Sequence, residues 1–170
     1  MNVVKAIKLR KSVRSFSDKA VESQILADIL EMARIAPSFL NRQEWRFVIV
    51  RDPIVRKKLV DDANCSSMIL RSPILIVGCA MPFDQITDTD QSSNKVDAAI
   101  ALDHVSLAAV EFGLGTCWSS IFTESKVKEI LEIPEEIRVV ALMALGYPKD
   151  SSFSEKKRLS LQQLIKFEKW

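Results

Sequence analysis

Residues 97–112 read Asp97-Ala98-Ala99-Ile100-Ala101-Leu102-Asp103-His104-Val105-Ser106-Leu107-Ala108-Ala109-Val110-Glu111-Phe112, and Gly113-Leu114-Gly115-Thr116-Cys117-Trp118 follow at once. Wound as a helix, the first run is apolar around most of its circumference, which predicts burial on several sides. Gly113 supplies a left-handed stop just beyond it. In a small chain such burial is easiest if a second copy covers part of the helix, so the run predicts a homodimer as well. The next residues enter a short strand over 116–119. Helix before strand is the reverse of the order that a dinucleotide-binding glycine fingerprint requires, so the two glycines here serve close backbone approach instead.

Working outward, residues 23–36 set Ile25, Leu26, Ile29, Met32, Ala33 and Ala36 on one helical stripe, with Ser23 as N-cap and Pro37 as stop. Short β-branched runs at 47–50 and 74–79 predict buried strands, separated by a charged amphipathic helix over 54–63 that repeats Val55, Leu59 and Ala63 every fourth residue. Downstream come a helix over 124–131 that Thr123 can cap, then a strand over 139–145. Residues 84–95 are polar and read as a surface loop. No internal repeat is present, and the irregular order of elements predicts one α+β domain over 1–170.

Composition narrows the function. The chain has 170 residues, 48% hydrophobic and 27% charged, the profile of a soluble globular domain. Its 24 Lys and Arg against 22 Asp and Glu leave none of the basic excess of a nucleic-acid footprint. No apolar run approaches the ~20 residues of a membrane span, and the first residues do not resemble a secretion signal. Cys65, Cys79 and Cys117 are odd in number and widely spaced, so they predict neither a zinc site nor a disulfide framework, and a cytoplasmic home. His104 has no second histidine to share a metal with.

Three groups could carry chemistry. Arg10, Lys11, Ser12 and Arg14 put three cations and a hydroxyl within five residues, either a phosphate-holding cluster or a solvated basic face. The loop Pro37, Ser38, Phe39, Leu40, Asn41, Arg42, Gln43, Glu44, Trp45 is rich in amide, hydroxyl and aromatic groups, suited to the edge of a planar heterocycle; it also reads as a helix-ending turn with Trp45 in the core. Lys156, Lys157 and Arg158 form a late basic cluster. No nucleophile stands with its base.

Taken together, in this order, these segments resemble the FMN-dependent nitroreductases. The resemblance rests on Arg10 to Arg14, on Ala36, Pro37, Ser38, Asn41, Gln43 and Trp45, on Gly113 to Trp118, and on Gly146, Tyr147 and Pro148 before the late cluster. It implies an α+β nitroreductase-like fold, with a central mixed, mainly antiparallel sheet flanked by helices, in an intertwined homodimer holding flavin at its interface. It implies that Arg10 and Ser12, with Lys11 beside them, hold the FMN phosphate and ribityl chain, joined by Lys156 and Arg158. It casts Arg14 as the catalytic cation at the N1 and O2 edge of the ring. Pro37, Ser38, Phe39 and Asn41 correspond to the stretch a partner subunit brings over the cofactor, and Trp118, Ser119 and Ser120 to the strand end near the ring. Glu44 stands where the family has proline, and Asn64 lies near an amide some members use.

The implied activity passes electrons from NAD(P)H through the flavin to a nitroaromatic, quinone or similar small acceptor, with ping-pong kinetics. Two alternatives stay open: a flavin-storage protein without NAD(P)H turnover, and a relative with another flavin reaction, such as reductive dehalogenation or dehydrogenation.

Overall fold

The structure, a computed structural model, describes residues 1–82, 93–150 and 157–170. Its frame is a sheet of four strands, β1 (Trp45–Val50), β2 (Ile74–Ala80), β3 (Gly115–Ser119) and β4 (Arg138–Gly146), in the order β1-β2-β4-β3. All three pairings are antiparallel. The parallel component is an isolated bridge from Ser12 to Thr116 on the outer edge of β3.

Alternation along β2 explains the layers. Ile74, Ile76 and Ala80 pack in one apolar cluster with α2 (Ser23–Arg34) and α4 (Ser93–Glu111). Leu75, Val77 and Cys79 pack in a second cluster with α3 (Pro53–Asp62) and α5 (Glu124–Leu131). With both faces covered, all seven residues of β2 are buried. Gly78 is where α4 comes closest: a Cβ there would stand 2.6 Å from Leu102 Cδ1. A smaller third cluster, Val13, Phe16, Met68, Cys117 and Ala144, lies at the β3 edge.

Several predicted boundaries move. Strand β1 starts at Trp45, since on an edge strand the exposed Arg46 does not interrupt the buried pattern. Ser23 is the first helical residue of α2 behind an N-cap at Glu22, and Thr123 caps α5 by position without a side-chain hydrogen bond. Residues 93–95 open α4 rather than close a loop, whereas 84–92 lie outside the described residues. Gly113 takes φ +70°, the left-handed stop expected after α4. Helix α4 buries Ala98, Ala101, Leu102, Val105 and Ala109.

Apolar surface remains outside these layers. Helix α1 (Val3–Leu9) exposes Val3, Val4 and Ile7, with Met32 of α2 and Ile35 just after it exposed as well. Residues 157–170, including the short helix α6 (Leu161–Leu164), leave Leu161, Leu164, Phe167 and Trp170 exposed. No helix among the described residues is long and apolar enough to cross a membrane.

Candidate functional site

The basic segment after α1 is held to the sheet edge by backbone. Val13 N donates to Thr116 O at 2.9 Å, and the Val13 side chain is buried over Gly115, whose added Cβ would meet Val13 Cγ2 at 2.3 Å. Only glycine at 115 lets the two chains lie this close. Residues two apart in an extended chain share a side, so with Val13 turned inward, Ser12 and Arg14 are left exposed.

Cys117 locates those groups. Burial pushes its thiol pKa up, against the opposing pull of Arg14, of a hydrogen bond from the Ser12 hydroxyl, and of Arg10. Ser12 bridges to Thr116 on the β3 edge, and Arg10 and Arg14 flank it on the segment that runs beside this buried sulfur. Beside it a cleft of about 220 Å³ is lined by Arg14, Cys117, Trp118, Ser119, Ser120, Ser66 and Met68. Of these, Arg14 and Ser120 are exposed, whereas Met68 and Cys117 are buried. That chemistry suits a flat, polar-edged ring attached to an anionic tail.

Other predicted residues sit elsewhere. Lys11 lines a separate cleft of about 280 Å³, with Ser106, Val110, Gly113 and Thr116, which Arg10 also borders. Trp118, by contrast, does line the Arg14 cleft while packing half-buried against the α4-side core. Arg158 is exposed and donates to Lys157 O at 3.0 Å, lining neither cleft. Lys156 lies outside the described residues. Ser66 and Met68, which sequence reasoning missed, come from the 3-10 turn Ser67–Arg71 and its cap, where Ser66 Oγ accepts from Met68 N. Asn64 holds a left-handed turn at φ 54° two residues earlier and does not line the cleft.

Pro37, Ser38, Phe39 and Asn41 are not brought to Arg14 within one chain. They form the connection from α2 into β1, and β2 and β4 stand between β1 and β3. Three strand spacings of ~4.8 Å separate the two sheet edges. The loop is a tight structure: Gln43 N donates to Ser38 Oγ at 3.0 Å, and Gln43 Nε2 to Asn41 O and Oδ1 at 3.1 and 3.2 Å. Trp45 behind it is buried, so the core role expected for that residue holds as well. Glu44 pairs with Arg42 at 2.7 Å.

The remaining reactive side chains are structural. Cys65 and Cys79 are buried thiols with pKa values raised to about 11 by burial. His104 Nδ1 faces Met32 O at 3.2 Å. Among the described residues no group of His, Cys, Asp and Glu could hold a metal ion.

Comparison with known proteins agrees with this architecture. A relative from Archaeoglobus fulgidus, provisionally named an NADH dehydrogenase/NAD(P)H nitroreductase, is 32% identical over 98% of each chain. A relative from Bacillus subtilis named FMN reductase [NAD(P)H] is 28% identical over 92% of this chain and 70% of its own. The crystal structure of a nitroreductase family protein from Clostridium novyi NT superposes with a TM-score of 0.82 at 36% identity, covering 89% of this chain and 87% of that one. The Nitroreductase family model matches residues 7–66 and 62–147, which takes in Arg10 to Arg14, the α2–β1 loop and β3, and the chain belongs to the Nitroreductase family.

Proposed function

We propose that the chain is an FMN-dependent oxidoreductase that takes electrons from NAD(P)H and delivers them to a small conjugated acceptor such as a nitroaromatic or a quinone. The observation that carries this reading is the cleft that Arg14 lines with Cys117, Ser119 and Ser120, next to the cleft that Arg10 and Lys11 border. Family membership and the FMN reductase from Bacillus subtilis support it.

Each residue has a physical task. Arg10 and Ser12 would hold the phosphate and ribityl chain, the guanidinium through charge-assisted hydrogen bonds and the hydroxyl through a neutral one. Lys11 from the neighbouring cleft, and Lys156 and Arg158 from the tail, would add positive charge near that phosphate. Arg14 would stand at the N1 and O2 edge, where a fixed cation stabilises developing negative charge. Ser119 and Ser120, at the end of β3 with Trp118, would bring backbone and hydroxyl groups to the opposite edge. Bound FMN supplies the two-electron chemistry that links a nicotinamide donor to the acceptor.

The reading includes a homodimer with the site at the interface. A cleft of about 220 Å³ is smaller than the ~300–1,000 Å³ typical of an enclosed ligand pocket. Pro37, Ser38, Phe39 and Asn41 from the far sheet edge of a second copy would supply the missing wall. The apolar surface of α1, Met32, Ile35 and residues 157–170 gives that copy something to cover. The three buried free thiols suit a reducing compartment, and we place the enzyme, acting as one domain, in the cytoplasm.

The test is a visible spectrum of the purified protein after exposure to FMN, then anaerobic addition of NADH or NADPH. Flavin bands that bleach support the reductase and give its donor preference. A flavin that neither donor bleaches favours storage, and a protein that takes up no FMN overturns the reading.

A further inference from the structure

Three residues in the α2–β1 connection take left-handed backbone: Leu40 (φ 49°), Asn41 (φ 56°) and Gln43 (φ 57°). None is glycine, so each carries a steric cost that the surroundings must offset. Ser38 and Gln43 close the loop on itself. An anchor comes from outside it. Phe39 N donates to Asp97 Oδ2 at 3.1 Å, across 58 positions of sequence.

Asp97 is an unexpected occupant of its place. It is 5% exposed on a helix whose next buried residues are Ala98, Ala101 and Leu102. A carboxylate there is costly to desolvate, and alanine or leucine would suit the core better. It lies beyond the first turn of α4, so helix-terminus electrostatics do not account for it. It also lines none of the clefts beside Arg10, Arg14 or Gln43.

We propose that Asp97 is a positioning residue: its carboxylate fixes the Phe39 backbone so that Pro37, Ser38, Phe39 and Asn41 of one subunit are held ready to wall the flavin cleft of the other. The inference rests on the two-subunit flavin reading above. Asp97 touches no cofactor and acts through one N–H.

The test is quenching of FMN fluorescence on titration with the parent, Asp97→Asn, Asp97→Leu, Asn41→Ala and the Asp97→Leu/Asn41→Ala double variant. The Asp97→Asn side chain keeps an oxygen that accepts the Phe39 N–H, so its Kd is expected within about threefold of the parent; Asp97→Leu removes that acceptor, and Kd is expected to rise roughly tenfold or more. Because both changes disable the same loop, the double variant should bind no more weakly than the weaker single one. If Asp97→Leu does not fold by circular dichroism, Asp97→Ala removes the same acceptor and is read the same way. A parental Kd in Asp97→Leu, failure of Asp97→Asn to preserve binding, an Asn41→Ala variant that binds like the parent, or additive losses in the double variant overturns the proposal alone. A parent that quenches no FMN fluorescence overturns the flavin reading and the proposal with it.

Discussion

Replacing Gly115 by alanine puts a methyl group where Val13 already stands. The new Cβ would meet Val13 Cγ2 at 2.3 Å, Val13 Cβ at 2.8 Å and Pro148 Cγ at 3.2 Å. Rotating the valine relieves the first contact but not the second, because Cβ is fixed to the backbone. The segment carrying Arg10, Ser12 and Arg14 must therefore move outward by roughly half an ångström, straining the 2.9 Å bond from Val13 N to Thr116 O. Overpacking of this kind costs about 1–3 kcal/mol of stability. If the shift also misaligns one charge-assisted contact to the phosphate, worth about 1.5–3 kcal/mol, Kd for FMN rises roughly 10- to 150-fold. Fluorescence titration and thermal unfolding read the two effects separately. Gly113→Ala is the control: its new Cβ has nothing within 4 Å, so it carries only the left-handed strain, about 1–2 kcal/mol, and FMN affinity should hold. A Gly115→Ala protein that loses thermal stability yet binds FMN with the parental Kd would refute the idea that β3 positions the basic segment.

Other outcomes follow from the same geometry. Arg10→Ala should weaken FMN binding by about 1.5–3 kcal/mol, whereas Arg14→Ala should lower the flavin midpoint potential and slow reduction more than it loosens binding; titration and potentiometry separate the two classes. On the proposed homodimer, Val3→Asp with Ile35→Asp should give a monomer by light scattering and release FMN, and a variant that stays dimeric places the interface elsewhere. Arg138, which donates to Glu124 at 2.9 and 2.8 Å, holds that carboxyl below its ordinary pKa, with Val139 N also donating to it. A depressed carboxyl stabilises the fold above its unfolded pKa of ~4.3 and stops doing so as pH falls through the folded value. Glu124→Gln should therefore cost about 1–2 kcal/mol at pH 7 and progressively less below pH 4 in thermal melts. Native Cys65 and Cys79, with pKa values of about 11, should resist a thiol reagent at pH 8 that labels them in denaturant.

What the sequence revealed depended on how local the cause was. The apolar run at 97–112 could be read as a buried helix because most of its residues contribute to one local pattern. The groups at Arg10, Ser12 and Arg14 were legible as chemistry, but only Val13, buried over Gly115, shows why Lys11 faces a different cleft. Ser66 and Met68 escaped notice because they wall the cleft from a 3-10 turn, which leaves no periodic signal. Asp97 escaped for another reason: its partner, Phe39 N, is 58 positions away. The strand order was equally hidden, since alternation in β2 and β4 says that both are buried but not that they are neighbours.

That strand order bears on how the chain emerges from the ribosome. The central strand β4, which joins β2 to β3, is the last of the four to be synthesised. Until residue 146 is available, the apolar run Ile74–Ala80 has β1 on one side and an open row of N–H and C=O groups on the other. An unpaired apolar edge of that kind is a template for aggregation. A nascent chain halted between residues 80 and 138 is thus the form of this protein most in need of a chaperone.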